Sequence, residues 1–114
     1  MKQETAIDAL AALAQPSRIA AFRLLVTAGP KGLPALEISR KLGTKPSTLS
    51  GHLAILKRAG VLTATRQQRE IYYAVDLTCI GELVQFLIAD CCGGQIENCG
   101  EITALFTCKP TGQV

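Results

Sequence analysis

Apolar residues recur every three or four positions through the first sixty residues, alternate briefly, and then return to the longer period. Over residues 5–14, Ile7, Leu10, Leu13 and Ala14 fall at helical spacing, with Thr5 placed to cap the start. Pro16 in "QPSR" interrupts that run and suits the first turn of a second helix. This helix carries Ile19, Phe22, Arg23, Leu24, Leu25 and Val26 and ends at "AGPKG". A short third helix is predicted from Pro34 to Leu42, with Leu36, Ile38 and Leu42 inward and Gly43 as a left-handed stop. The fourth runs from Pro46 to Arg58: Leu49, Leu53 and Leu56 form its buried stripe, while Ser47, Thr48, Gly51 and His52 lie off it.

After Gly60 the period changes. In "VLTATRQQREIYYAV", Val61, Thr63 and Thr65 and then Ile71, Tyr73 and Val75 alternate, which predicts two strands joined at Gln67-Gln68. A fifth helix begins near Asp76 and carries Ile80, Leu83, Val84, Leu87, Ile88 and Cys91. Beyond Gly93-Gly94 the periodicity fades. The expected organisation is a domain over 1–92 and a flexible cysteine-containing tail over 93–114.

With 114 residues, 48% of them hydrophobic, the chain can bury a core without disulfides. No apolar run approaches the roughly 18 residues of a membrane span. The polar start and Asp8 make the first segment an amphipathic helix rather than a signal peptide. A cytoplasmic protein with reduced thiols is expected, and five cysteines, an odd number, argue against a closed disulfide framework. Charge is unevenly spread. Residues 31–72 hold eight Lys or Arg against two acids, whereas 73–114 hold one Lys against five. A basic middle beside an acidic end points to a polyanion-binding segment and a second region with another task.

Two helices joined by a short glycine-containing turn and followed by a hairpin make a winged helix-turn-helix. The expected fold is therefore mainly α with a small β-hairpin: five helices and a two-stranded wing. Short polar residues at Ser47, Thr48, Ser50, Gly51 and His52 let the fourth helix approach bases in a major groove. Lys45, Arg66 and Arg69 are placed to meet the backbone. Purely structural bundles contain similar helix pairs, but here the basic charge and the hairpin fall on one segment. As the sole histidine, His52 is read as a hydrogen-bonding or DNA-contacting residue and not a metal ligand. Apolar stripes on the first and fifth helices exceed what so small a core needs, which predicts a homodimer suited to an inverted-repeat operator.

"PSTLSGHLAILKRAGVL" followed by "RQQREIYYAV" resembles the arsenical-resistance/metallothionein (ArsR/SmtB) family of bacterial repressors. Ser50, His52, Leu53, Leu56, Ala59, Gly60 and Val61 match its recognition-helix pattern, and Arg69 and Tyr73 match its wing. "ALAQPSRIAAFRLL" is similar to its usual second helix, so the likeness covers roughly residues 5–91. It implies a homodimeric repressor released from DNA by an inducer. The wing tip departs from the pattern, with Gln68 where glycine is common in the family.

Members of that family place their ligands differently. The third helix here, "LPALEISRKL", lacks a Cys-x-Cys pair, and a single histidine excludes a His/Asp/Glu zinc site. Cys91, Cys92 and Cys99 remain, and they resemble the arsenic-responsive subgroup with a vicinal cysteine pair and a third cysteine nearby. Thiolates select soft ions. Trivalent arsenic, As(III), and its relative Sb(III) take three ligands in a pyramid, which three thiolates complete. Cadmium, lead or zinc with Cys108 as a fourth ligand, and a redox or persulfide sensor, are the rival readings. Helix-end cysteines beside Asp90 and Glu97 lack the positive setting that activates a thiol. A small thiol enzyme such as an arsenate reductase fits less well still, because no phosphate-cradling loop or base accompanies the cysteines. Cys79 is read as a small core residue.

Overall fold

The computed structural model describes residues 1–88. Five helices and three strands follow in the order α1 Gln3–Leu13, α2 Pro16–Ala28, β1 Leu33–Pro34, α3 Ala35–Leu42, α4 Pro46–Arg58, β2 Leu62–Gln67, β3 Glu70–Val75 and α5 Leu77–Ile88. The proposed tail, 93–114, and the run of α5 to Cys91 lie outside the described residues. No single helix among the described residues is long and apolar enough to cross a membrane.

The core forms where the helical stripes meet. Leu25 of α2, Ile38 of α3, Leu49, Leu53 and Leu56 of α4, and Val61 are its largest fully buried side chains. Each such side chain contributes roughly 1.5–3 kcal/mol. On α1 the inward face is Ala6, Ala9 and Ala12, whose small side chains let that helix lie close, while the Ile7–Leu10 stripe expected to meet a twin faces out. Ile7 and Leu10 are 53% and 40% exposed. On α5 only Leu83 is fully buried, while Leu77 and Leu87 face outward. Ile19 and Val26 of α2 are also exposed. Leu36, expected inside, is 68% exposed because Ile38 and the half-buried Leu42 take the inward positions of this short helix.

Helix ends follow local chemistry, with one correction. α1 starts at Gln3, ahead of Thr5, with Lys2 at the cap position making no side-chain bond and Glu4 favourably placed in the first turn. Between α1 and α2 the chain bends by 98°. Gln15 Oε1 then accepts the backbone N–H of Arg18 at 2.9 Å, capping α2. Gly43 closes α3 in a left-handed conformation, φ 67° and ψ 27°. The buried Ser39 hydroxyl donates to the Thr44 carbonyl, tying down the turn that leads into α4. Asp76 Oδ1 caps α5 by accepting the Cys79 N–H at 3.1 Å.

The sheet is larger than the expected two-stranded wing. It has three antiparallel strands in the order β1-β3-β2, with Leu33 opposite Tyr73 and Pro34 opposite Tyr72. Pro34, expected inside α3, belongs to this edge strand, where a missing N–H is tolerated. A two-residue strand is too short to show an alternation. Gly32 permits it: its φ is +74°, and a Cβ there would lie 2.2 Å from the Tyr73 carbonyl oxygen. In the hairpin, Gln67 pairs with Glu70, so the loop is Gln68-Arg69, one residue later than expected. Gln68 has φ 58°, a conformation that costs a residue with a side chain roughly 1–2 kcal/mol.

Two substitutions check this account by urea denaturation. Gly32→Ala is expected to lower stability by at least about 2 kcal/mol, because backbone must move to admit the methyl group. Gln68→Gly is expected to raise stability by about 0.5–1 kcal/mol, part of the strain relief being offset by a freer unfolded chain.

Candidate nucleic-acid interface

Burial of Leu49, Leu53 and Leu56 sets the rotation of α4 about its axis. At 100° per residue, the face opposite those leucines runs through Ser47, Gly51, Ala54 and Arg58, with Ser50 and Thr48 flanking it. All six are exposed. Ala54 and Arg58 extend the surface beyond the residues recognised from the sequence, and the helical period itself carried the signal. Short side chains along the centre of this face let the backbone come close to a flat or grooved partner. Lys45 is exposed at the cap position and makes no side-chain cap bond, so the positive end of the helix dipole stays open to an anion.

Arg66 stands exposed on β2 opposite Ile71, and Arg69 is exposed in the hairpin loop. The structure thus groups Lys45, Ser47, Thr48, Ser50 and Gly51 at the start of α4 and sets the two arginines apart on the wing. Among the described residues, the only cation–carboxylate pairs within 4 Å join Glu37 to Arg40 and Lys41 on α3. Lys45, Arg58, Arg66 and Arg69 therefore present uncompensated positive charge, which suits a phosphate backbone.

His52 has a hydrogen-bonding partner, as expected, but is less exposed than its place off the leucine stripe suggests. It is half-buried, and its Nδ1 lies 3.4 Å from Nη1 of Arg18 on α2. Arg18 Nε also donates to the carbonyl of Ala12, near the end of α1, at 2.5 Å. Arg18 escaped notice in the sequence, although a signal was there. Pro16 stands four residues after Ala12 and has no N–H to give, so that carbonyl needs another donor.

Cys91, Cys92, Cys99 and Cys108 lie outside the described residues. Among the described ones, no His/Cys/Asp/Glu group has the geometry of a metal site. Cys79 is half-buried at the start of α5. Burial first, and then the charges of Asp76 and Glu82, push its thiol above the ordinary range.

Helix-turn-helix plus wing, with a polar helix face and unpaired cations beside it, defines a winged-helix DNA-binding protein. Comparisons with known proteins agree. Residues 13–64 match the helix-turn-helix domain family HTH_20. The uncharacterized HTH-type transcriptional regulator YbzH of Bacillus subtilis (strain 168) is 33% identical over 87 residues, which is 76% of this chain and 87% of that protein. A crystal structure of a possible transcriptional regulator for arsenical resistance superposes with a TM-score of 0.63 at 27% identity, covering 72% of this chain and 82% of that one. A homodimeric winged helix-turn-helix DNA-binding domain, Mb0332 from Mycobacterium bovis, is a possible ArsR-family regulator. It shares the fold at a TM-score of 0.63 and 21% identity, over 75% of this chain and 78% of its own. The chain belongs to the ArsR family of winged-helix transcriptional regulators. It is a DNA-binding regulator and not an enzyme.

The Cys79 assignment has a pH consequence. Its thiol holds its proton more tightly when folded, so stability is retained below the ordinary thiol range and falls as pH rises through and above it. Thermal melting from neutral to alkaline pH is expected to fall more steeply for the native protein than for Cys79→Ala.

Proposed function

We propose that this regulator is a cytoplasmic homodimeric repressor that leaves an inverted-repeat operator when trivalent arsenic, or antimony in its place, is held by Cys91, Cys92 and Cys99. One observation carries the reading: three thiols fall within nine residues that begin three positions past Ile88, the last described residue of a DNA-binding module. A donor set made of sulfur prefers a soft ion to magnesium, calcium or manganese. Arsenous acid, As(OH)3, exchanges its three hydroxyls for three thiol sulfurs and loses three waters, each thiol proton leaving on a hydroxyl, so capture needs no thiolate formed beforehand. The likeness to a possible regulator of arsenical resistance supports the same inducer.

Dimerisation is supported by the apolar residues that one chain leaves in water. Ile7 and Leu10 on α1 and Leu77 and Leu87 on α5 are exposed, and α1 packs on α5 within the chain, so a twin can cover both helices at once. The Mb0332 domain, of the same fold, is itself a homodimer. In such a dimer the two α4 helices enter successive major grooves about 34 Å apart. Ser47, Thr48, Ser50, Gly51 and His52 serve the groove, and Lys45, Arg66 and Arg69 serve the backbone. Ion capture by cysteines that begin three positions past Ile88 acts on the dimer helix and so on that spacing. A coupling of about 1–3 kcal/mol changes operator affinity by about 5–150-fold.

The test uses a duplex selected by the native protein from a random pool. Arsenite should release the protein from it, Cys91→Ser, Cys92→Ser and Cys99→Ser should each abolish release, and Cys108→Ser should not. Release of all three variants at the native dose removes the proposed site. Release by cadmium, lead or zinc but not arsenite, or by an oxidant and reversed by a dithiol, transfers the cysteines to another signal.

A further inference from the structure

Arg18 joins three helices through one guanidinium. Its backbone is held at the start of α2, where its N–H donates to Gln15 Oε1 at 2.9 Å. Its Nε donates to the Ala12 carbonyl of α1 at 2.5 Å, and its Nη1 lies 3.4 Å from His52 Nδ1 on α4. The first bond has a clear cause, because Pro16 leaves that carbonyl without its helical donor and a cation suits the negative end of α1. The second sets a tautomer. A guanidinium has no acceptor, so Nδ1 must accept, and the neutral ring carries its proton on Nε2. His52 follows Thr48 by one helical turn and sits beside the exposed Gly51, at the border of the face assigned to DNA. A ring with Nε2–H fixed outside the Arg18 contact is a donor suited to a guanine N7 or O6 or to a phosphate oxygen.

We propose that Arg18 is a positioning residue for DNA reading, which orients His52 and fixes its tautomer while anchoring the recognition helix to the end of α1. It acts through His52 and does not itself need to touch DNA. The proposal rests on the DNA-reading role of α4. It also gives α1, one of the two proposed dimer helices, a direct polar link to the recognition helix, separate from the packing of the leucine stripe. The 3.4 Å separation is long for a hydrogen bond, so the expected effect is moderate.

A double-mutant cycle on the full chain decides the matter, read as affinity for the selected duplex and for a scrambled one. His52→Gln keeps a donor near the Nε2 position but removes the acceptor at Nδ1. His52→Asn keeps an acceptor near Nδ1. Arg18 lies on an open cleft of about 390 Å³ between α1 and α4, so truncating it leaves no sealed void. Arg18→Ala is expected to weaken the selected duplex by about 3–30-fold relative to the scrambled one. The same change is expected to cost almost nothing further in the His52→Gln background, which lacks the Nδ1 acceptor, or in His52→Asn, which lacks the Nε2 donor that Arg18 positions. Independent, multiplying losses in Arg18→Ala and His52→Gln, or equal loss on both duplexes, would falsify the positioning role. Melting temperatures of all variants separate these results from a loss of folded protein. Failure of the native protein to select any duplex would instead remove the DNA-reading assignment beneath it.

Discussion

Burial of three leucines on one side of α4 is the constraint on which the rest depends. Leu49, Leu53 and Leu56 meet Leu25, Ile38 and Val61 in the core, and removing any of them from water is worth more than any surface contact the helix makes. The same burial decides what faces out. Ser47, Gly51, Ala54 and Arg58 are exposed because the leucines are not, so stability and DNA reading use opposite sides of one helix. The rotation is held at both ends. Ser39 ties down the turn before α4, and after it Gly60 and Val61 donate to the carbonyls of Lys57 and Leu56 at 3.0 Å each.

A second constraint is the shortage of core. Alanines on α1 let that helix sit close to its neighbours but leave its larger apolar residues in water, and α5 does much the same. Both helices thus carry apolar surface that the other described residues do not cover. In the proposed mechanism this surface is where signal and DNA reading meet, because the cysteines begin three positions past Ile88 in the sequence and α1 is bonded through Arg18 to His52. Regulators of this kind need an interface that can be shifted without unfolding, and shallow surface packing serves that need better than a deep core.

Much of this was legible in order of amplitude. The α4 boundaries, the leucine stripe, Gly43 as the stop of α3 and the hairpin follow from periodicities carried by several residues each. The misses lie where the signal rests on one residue or on a neighbour distant in sequence. Thr5 looks like a cap, but the helix gains from beginning earlier. Leu36 is apolar yet outward, because an eight-residue helix has room for few inward positions. The short β1 exists through Gly32, whose role depends on Tyr73, forty-one residues away in the chain. His52 is drawn toward α2 by an arginine thirty-four residues earlier.

By itself, the order of residues determined the winged helix-turn-helix, the polar face of its fourth helix, the excess of positive charge beside it and the clustering of cysteines late in the chain. These are local properties, since helical period, turn chemistry and charge all act over a few residues. Only the tertiary structure decided which apolar residues stay in water, how β1 completes the sheet and where Arg18 reaches. Each of those depends on which segments meet in space, and the free energy of such meetings is shared among residues far apart in the chain.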